Sequence, residues 1–243
     1  MSKLLNTELQ DEVWRRVTEI LGGDDSGHGT DHVKRVQTMA LRFASEMSEP
    51  VNITVVSLAA QLHDVDDYKL VGREQAEKLT NTTEIMKTVG IDEATQQAVR
   101  DIVANMGYSK ALKGIRPTSL EGKIVSDADM CDASGASGII RALTYAVSGK
   151  GSGVVFDPHC KPDMYMTAEK YNVHGTTCAN DSFVNHFFEK LFKLKGMMLT
   201  DPGRAEAQKR DELMADFLHQ YFYEENVPEW SDLLEEYLNE RKI

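Results

Sequence analysis

His63 and Asp64 stand side by side at the end of the apolar run Leu58-Ala59-Ala60-Gln61-Leu62, and both carry side chains able to ligate a metal. With His32 upstream and Asp129 downstream, the chain offers a His, His-Asp, Asp set of two imidazoles and two carboxylates. That mixture suits one divalent ion such as Mn²⁺, Fe²⁺, Co²⁺, Ni²⁺, Zn²⁺ or Mg²⁺. Burying four such groups without a partner is costly, and a shared cation removes the cost. An ion held this way leaves positions open for water and for a phosphate oxygen, and it lowers the pKa of the water toward neutrality. Metal-assisted hydrolysis is the chemistry to expect.

The elements that must position these residues read as helices. Thr7 with Gln10 forms a capping box, and the helix it opens runs to the stop signal Gly22-Gly23. Thr30 or Asp31 starts a second helix, in which His32, Val36, Met39 and Phe43 recur at helical spacing, so His32 lies on the apolar face. Asn52 caps the next helix, where Val56, Ala59, Ala60 and His63 share one face and His63 also looks inward. Further helices are announced by Asn81 with Glu84 before Gly90, by Asp92 before Gly107, and by Thr118 with Glu121 after Pro117. The last of these carries Asp127-Ala128-Asp129, two carboxylates that spacing alone does not rank. Gly149 to about Thr167 reads as a long loop, with Val173 to Ala179 ambiguous. Phe183, Phe187, Leu191, Leu194 and Met198 predict one long helix, Asp201-Pro202 a strong start for another, and Trp230-Ser231 the approach to a short final one. With no repeats and no linker-like shift in composition, the expectation is an all-α, single-domain helical bundle over 1–243.

Composition narrows the function classes. The 243 residues suffice for one sizeable core, and a hydrophobic fraction of 41% with 27% charged residues is that of an ordinary soluble protein. A formal charge of −12 disfavours capture of a nucleic acid polymer or an anionic membrane, while leaving a small phosphorylated substrate open. The N-terminal residues lack the features of a secretory signal, and Cys131, Cys160 and Cys178 are too few and too far apart for a disulfide framework. A cytoplasmic location is expected, and nothing in the sequence fixes the oligomeric state, which leaves room for a homodimer.

Three segments together resemble the HD superfamily of metal-dependent phosphohydrolases. Gly27-His28-Gly29-Thr30-Asp31-His32-Val33-Lys34-Arg35-Val36 is similar to the first motif, His63-Asp64 to the signature dipeptide, and Ala128-Asp129-Met130-Cys131-Asp132-Ala133 to the last. The resemblance implies His32, His63, Asp64 and Asp129 as metal ligands, with core motifs over about 25–135 and C-terminal helices over about 180–243 packing on them. It favours Asp129 over Asp127, because the family pattern places the ligand after a small residue and three positions before another acidic or polar one. His63-Asp64-Val65-Asp66-Asp67-Tyr68-Lys69 and Asn185 to Lys195, followed by Thr200 and Arg210, resemble more closely the small bacterial HD-domain hydrolases that include nucleotide pyrophosphohydrolases. The stretch Gly149 to Cys178 looks expanded beside them.

Asp67 comes one turn after His63-Asp64 if the helix continues, where it could orient the attacking water or take its proton. Lys69 could neutralise charge on a leaving phosphate or pyrophosphate. His28, Arg35, Lys190 and Lys193 are the candidate substrate-binding residues. The expected activity converts a nucleoside triphosphate to its monophosphate and pyrophosphate. Nucleoside 5′-monophosphatase and guanosine tetraphosphate hydrolase are the alternatives within this class, and a non-catalytic nucleotide-sensing module is the alternative outside it.

Overall fold

The structure is a computed structural model that describes residues 7–23, 29–164 and 182–241. The fold is all-α, and among the described residues there is no strand. The chain divides into two compact units, residues 1–132 with 198–203 and residues 133–197 with 204–243, which the sequence reading joins in one domain. Among the described residues no helix is long and apolar enough to cross a membrane.

The first unit contains α1 (Thr7–Leu21), α2 (Thr30–Glu46), α3 (Ile53–Leu62), α4 (Tyr68–Val71), α5 (Arg73–Lys78), α6 (Thr80–Thr88), α7 (Glu93–Asn105), α8 (Tyr108–Leu112) and α9 (Leu120–Asp132). Its centre is the trio α2, α3 and α9, which pack against one another pairwise. Every residue of α3 from Val55 to Leu62 is buried. A helix enclosed on all sides has no solvent-facing polar face, which is why this stretch is apolar throughout except for Ser57 and Gln61. Ala59, Ala60, Ala40 and Ala128 are all buried, and their small side chains let the three helix backbones approach closely.

The caps explain where these helices begin. Asn52 Oδ1 accepts from Val55 N and Asp92 Oδ1 from Thr95 N, as their positions predict. The start of α9 differs from the sequence reading: Ser119 Oγ accepts from Gly122 N, while Glu121 reaches across to accept from Asn52 N at 2.9 Å. That bond ties the beginnings of α3 and α9 together, so the two helices run the same way and their C-terminal ends meet. The start of α6 also differs, because its cap comes from elsewhere in the chain. Asp66 accepts from Asn81 N at 2.9 Å and Thr82 N at 2.8 Å, and Asn81 Nδ2 donates to Val65 O. The turn after His63-Asp64 is thereby fastened to α6.

The second unit contains α10 (Gly135–Val147), α11 (Phe183–Glu189), a 3₁₀ segment (Leu191–Met197), α12 (Asp201–Glu224) from residue 204 onward, and α13 (Pro228–Glu240). The single helix expected through Met198 breaks at Lys190 (φ −137°, ψ −59°). Carbonyls that a continuous helix would use internally are taken by α13 and its C-cap instead: Tyr237 Oη donates to Phe188 O and Arg241 Nη1 to Phe192 O. Helix α13 starts at Pro228, before Trp230, with proline in the first helical turn where its missing N–H costs nothing. Helix α10 was not foreseen, since Ser134 makes no side-chain cap and Gly135 and Gly138 are weak helix formers. Residues 151–164 form the irregular stretch the sequence predicts, joined to α11 by Phe183 N to Val154 O and Val184 N to Val155 O. The ambiguous stretch Val173 to Ala179 lies outside the described residues.

Candidate metal centre

Three helix ends of the first unit deliver the metal-type ligands. His32 sits in the first turn of α2, His63 caps the C-terminus of α3, and Asp129 lies in the last turn of α9. Two of these ends are C-termini, whose dipoles favour a cation. His32, His63 and Asp129 each place a donor atom within 4.8 Å of the others. Asp64 joins them, with Oδ2 at 3.5 Å from His32 Nε2 and 3.4 Å from His63 Nε2. His32 Nε2 lies 3.1 Å from His63 Nε2 and 3.4 Å from Asp129 Oδ1, and His63 Nε2 lies 3.7 Å from the same oxygen.

These separations fit a common ion. Donors bonded at about 2.1 Å lie about 3.0 Å apart across a right angle and about 3.4 Å apart across a tetrahedral angle. The histidines fit independently. His63 Nδ1 donates to Ala60 O at 2.9 Å, and His32 Nδ1 lies 2.7 Å from Asp132 Oδ2. With both Nδ1 atoms engaged in these outward bonds, both Nε2 atoms face the cluster. With both rings neutral the two Nε2 lone pairs would oppose each other at 3.1 Å, an arrangement that a shared cation turns into ligation. The electrostatics of Asp129 point the same way. Burial acts to raise its carboxyl, but the His32 hydrogen bond and the positive charge of His63 and His32 outweigh this and hold it below the usual carboxylate range.

Asp127 is turned away from this cluster. It is fully buried and accepts from Leu199 N, Thr200 N at 2.7 Å and Thr200 Oγ1 at 2.7 Å, which pins residues 198–203. Asp67 lies on the turn beyond the dipeptide, its N–H donating to Asp64 O at 3.0 Å. Helix α3 has already ended at Leu62, so Asp67 follows a tight turn rather than a continuing helix. Lys69 is carried on α4. Arg35, a candidate for the substrate, is engaged with Asp132: its Nε donates to Oδ1 at 2.7 Å and its Nη2 to Oδ2 at 3.0 Å. This hydrogen bonding prevails over burial and raises the guanidinium pKa above its ordinary value. Lys190 and Lys193 belong to the second unit, where Lys190 ends α11 and Lys193 Nζ donates to Met164 O. His28 lies outside the described residues.

The sequence reading quoted two residues in its motifs without giving them a role, and both shape the centre. Asp66 anchors the turn that presents His63 and Asp64, and Asp132 holds His32. The signal for Asp132 is its place three residues after Asp129 and therefore on nearly the same helix face.

Residues 29–134 match the family model described as the HD domain. Over 227 residues the chain is 31% identical to the YpgQ protein of Bacillus subtilis strain 168, covering 93% of this chain and 96% of that one. A solved Lactobacillus plantarum protein is 34% identical with a TM-score of 0.74, over 93% of this chain and 100% of its own. YpgQ solved in complex with ADP gives 28% and 0.64, over 90% of this chain and 97% of the other. A Bacillus thuringiensis protein described as an HD-superfamily hydrolase gives 29% and 0.67, with the same coverages. The motif order, the helical fold and the convergence of His32, His63 and Asp129 agree with these matches, and the chain belongs to the HD-domain family of hydrolases.

Proposed function

We propose that this protein is a divalent-metal-dependent phosphohydrolase of small nucleotides, and that it splits a nucleoside triphosphate into its monophosphate and pyrophosphate. The observation that carries the reading is the meeting of His32, His63, Asp64 and Asp129 with both imidazoles fixed from behind. An ADP-bound relative of similar fold supports a nucleotide as the ligand class.

A bound divalent ion would polarise a phosphate oxygen and acidify a water. The remaining roles fall to side chains. His32, His63, Asp64 and Asp129 hold the ion, and Asp67 is proposed to orient the attacking water and take its proton. Phosphate contacts are proposed for His28, Lys69, Lys190 and Lys193 on the strength of their charge and their places in the sequence. Attack at the α-phosphorus breaks the bond to the β-phosphate oxygen, and the departing pyrophosphate carries the electron pair of that bond.

The test is incubation of the Mn²⁺-loaded protein with a panel of nucleotides, measuring pyrophosphate and orthophosphate separately. Monophosphate and pyrophosphate in equal amounts support the reading. Orthophosphate from monophosphates, pyrophosphate from guanosine tetraphosphate alone, or binding without turnover would each replace it with one of the alternatives above.

A further inference from the structure

A buried chain of contacts runs outward from the metal-type cluster and ends at the surface. Its first member is His32, 2% exposed, whose Nδ1 meets Asp132 Oδ2 at 2.7 Å. Its second is Asp132, wholly buried, with both carboxylate oxygens engaged. Its last is Arg35, whose side chain is 40% exposed and grips Asp132 through Nε and Nη2 in a two-pronged contact. His32 and Arg35 are three residues apart on α2, while Asp132 ends α9. Asp132 therefore joins two helices as well as two side chains. An isolated buried carboxylate is costly, and Arg35 offsets that cost with the bidentate geometry best suited to a carboxylate. A carboxylate so fixed holds His32 as the Nδ1–H tautomer and stops its ring from turning, which presents Nε2 as a lone pair.

Resting on the metal-site reading, we infer that Asp132 and Arg35 are positioning residues for the metal: Asp132 sets the tautomer and orientation of His32, and Arg35 acts through Asp132. Arg35 thus governs affinity for the ion before it governs affinity for any nucleotide. The second histidine has no such device. His63 Nδ1 donates to a backbone carbonyl of its own helix, which no side-chain substitution removes. The relay makes His32 the adjustable ligand of the pair.

The experiment strips metal from full-length wild type, Asp132→Asn, Arg35→Ala, Arg35→Lys and the double variant Arg35→Ala/Asp132→Asn, and titrates each with Mn²⁺ alone in competition with a chelator. Asp132→Asn is expected to weaken Mn²⁺ binding by about 10- to 100-fold, the range typical of lost outer contacts to a ligating histidine. Arg35→Ala should weaken it by a smaller factor, because Asp132 can still accept from His32, and Arg35→Lys should recover part of that loss. In the Asp132→Asn background Arg35→Ala should cost nothing further, since its route to the ion is gone. Unfolding temperatures of the stripped proteins show whether the chain remains folded. If Asp132→Asn proves unstable, the series at the partly exposed Arg35 still decides the matter. Wild-type Mn²⁺ affinity in Arg35→Ala, with only the nucleotide KM raised, would overturn the relay, as would fully additive losses in the double variant. Absence of Mn²⁺ binding by the wild type would instead overturn the metal site itself.

Discussion

Asp127 and Asp129 are two residues apart on one helix, and their different surroundings predict opposite effects for one pair of substitutions. Asp127→Ala removes the acceptor for Leu199 N at 2.9 Å, Thr200 N at 2.7 Å and Thr200 Oγ1 at 2.7 Å. Thr200 is only 3% exposed, so water cannot readily replace the lost carboxylate. Hydrogen bonds to a charged group contribute about 1.5–3 kcal/mol each, and bonds sharing one acceptor are not additive, which sets the expected loss at about 3–5 kcal/mol. For a chain of this size that is a fall of about 6–20 °C in unfolding temperature. Asp129→Ala removes a group 23% exposed that makes no comparable anchor, and the metal-stripped variant should unfold within about 1 kcal/mol of wild type. The metal content should move the other way: lost in Asp129→Ala, kept in folded Asp127→Ala. The assay is thermal unfolding in chelator, followed by elemental analysis of each protein after Mn²⁺ loading. An Asp127→Ala variant as stable as wild type, or one that folds yet loses the ion, would refute the assignment.

Metal-replete wild type should carry about one divalent ion per chain, and His63→Ala or Asp64→Ala should remove it, which elemental analysis checks. Asp67→Asn should retain the ion and the fold but lose about 10²- to 10⁴-fold in turnover, measured beside metal content in the same preparations. Near-normal turnover at full occupancy would exclude Asp67 from proton transfer. Asp66→Ala should cost about 1–2 kcal/mol by uncapping α6, read by thermal unfolding, because Asn81 N and Thr82 N both lose their acceptor.

Much of the fold was legible because its signals are local. Asn52 and Asp92 cap the helices they precede, and the spacing of Val36, Met39 and Phe43 marks the buried face of α2. The misreadings arise where a distant segment supplies the partner. Glu121 left the expected capping box to reach Asn52, Asp66 capped a helix that starts 14 residues later in the chain, and α13 took the carbonyls that would have continued α11. No stretch as short as the helix being read contains both halves of such a contact.

The metal-type cluster shows the same division within a single site. Each member announces itself locally: His32 by its apolar face, His63-Asp64 by ending an apolar run, Asp129 by its place in a motif. Periodicity could not choose between Asp127 and Asp129, since residues two apart on a helix point to nearly opposite sides and either side of α9 could have faced α2. The choice is made by packing: Asp127 is satisfied by residues 199 and 200, so the other side of α9 turns to the histidines. That same rotation brings Asp132, one turn beyond Asp129, against His32 and Arg35. The placements of Asp129 and Asp132 are therefore a single consequence of how α9 is turned. Two three-residue spacings, His32 to Arg35 on α2 and Asp129 to Asp132 on α9, become one chain of contacts only because Asp127 is held on the far side.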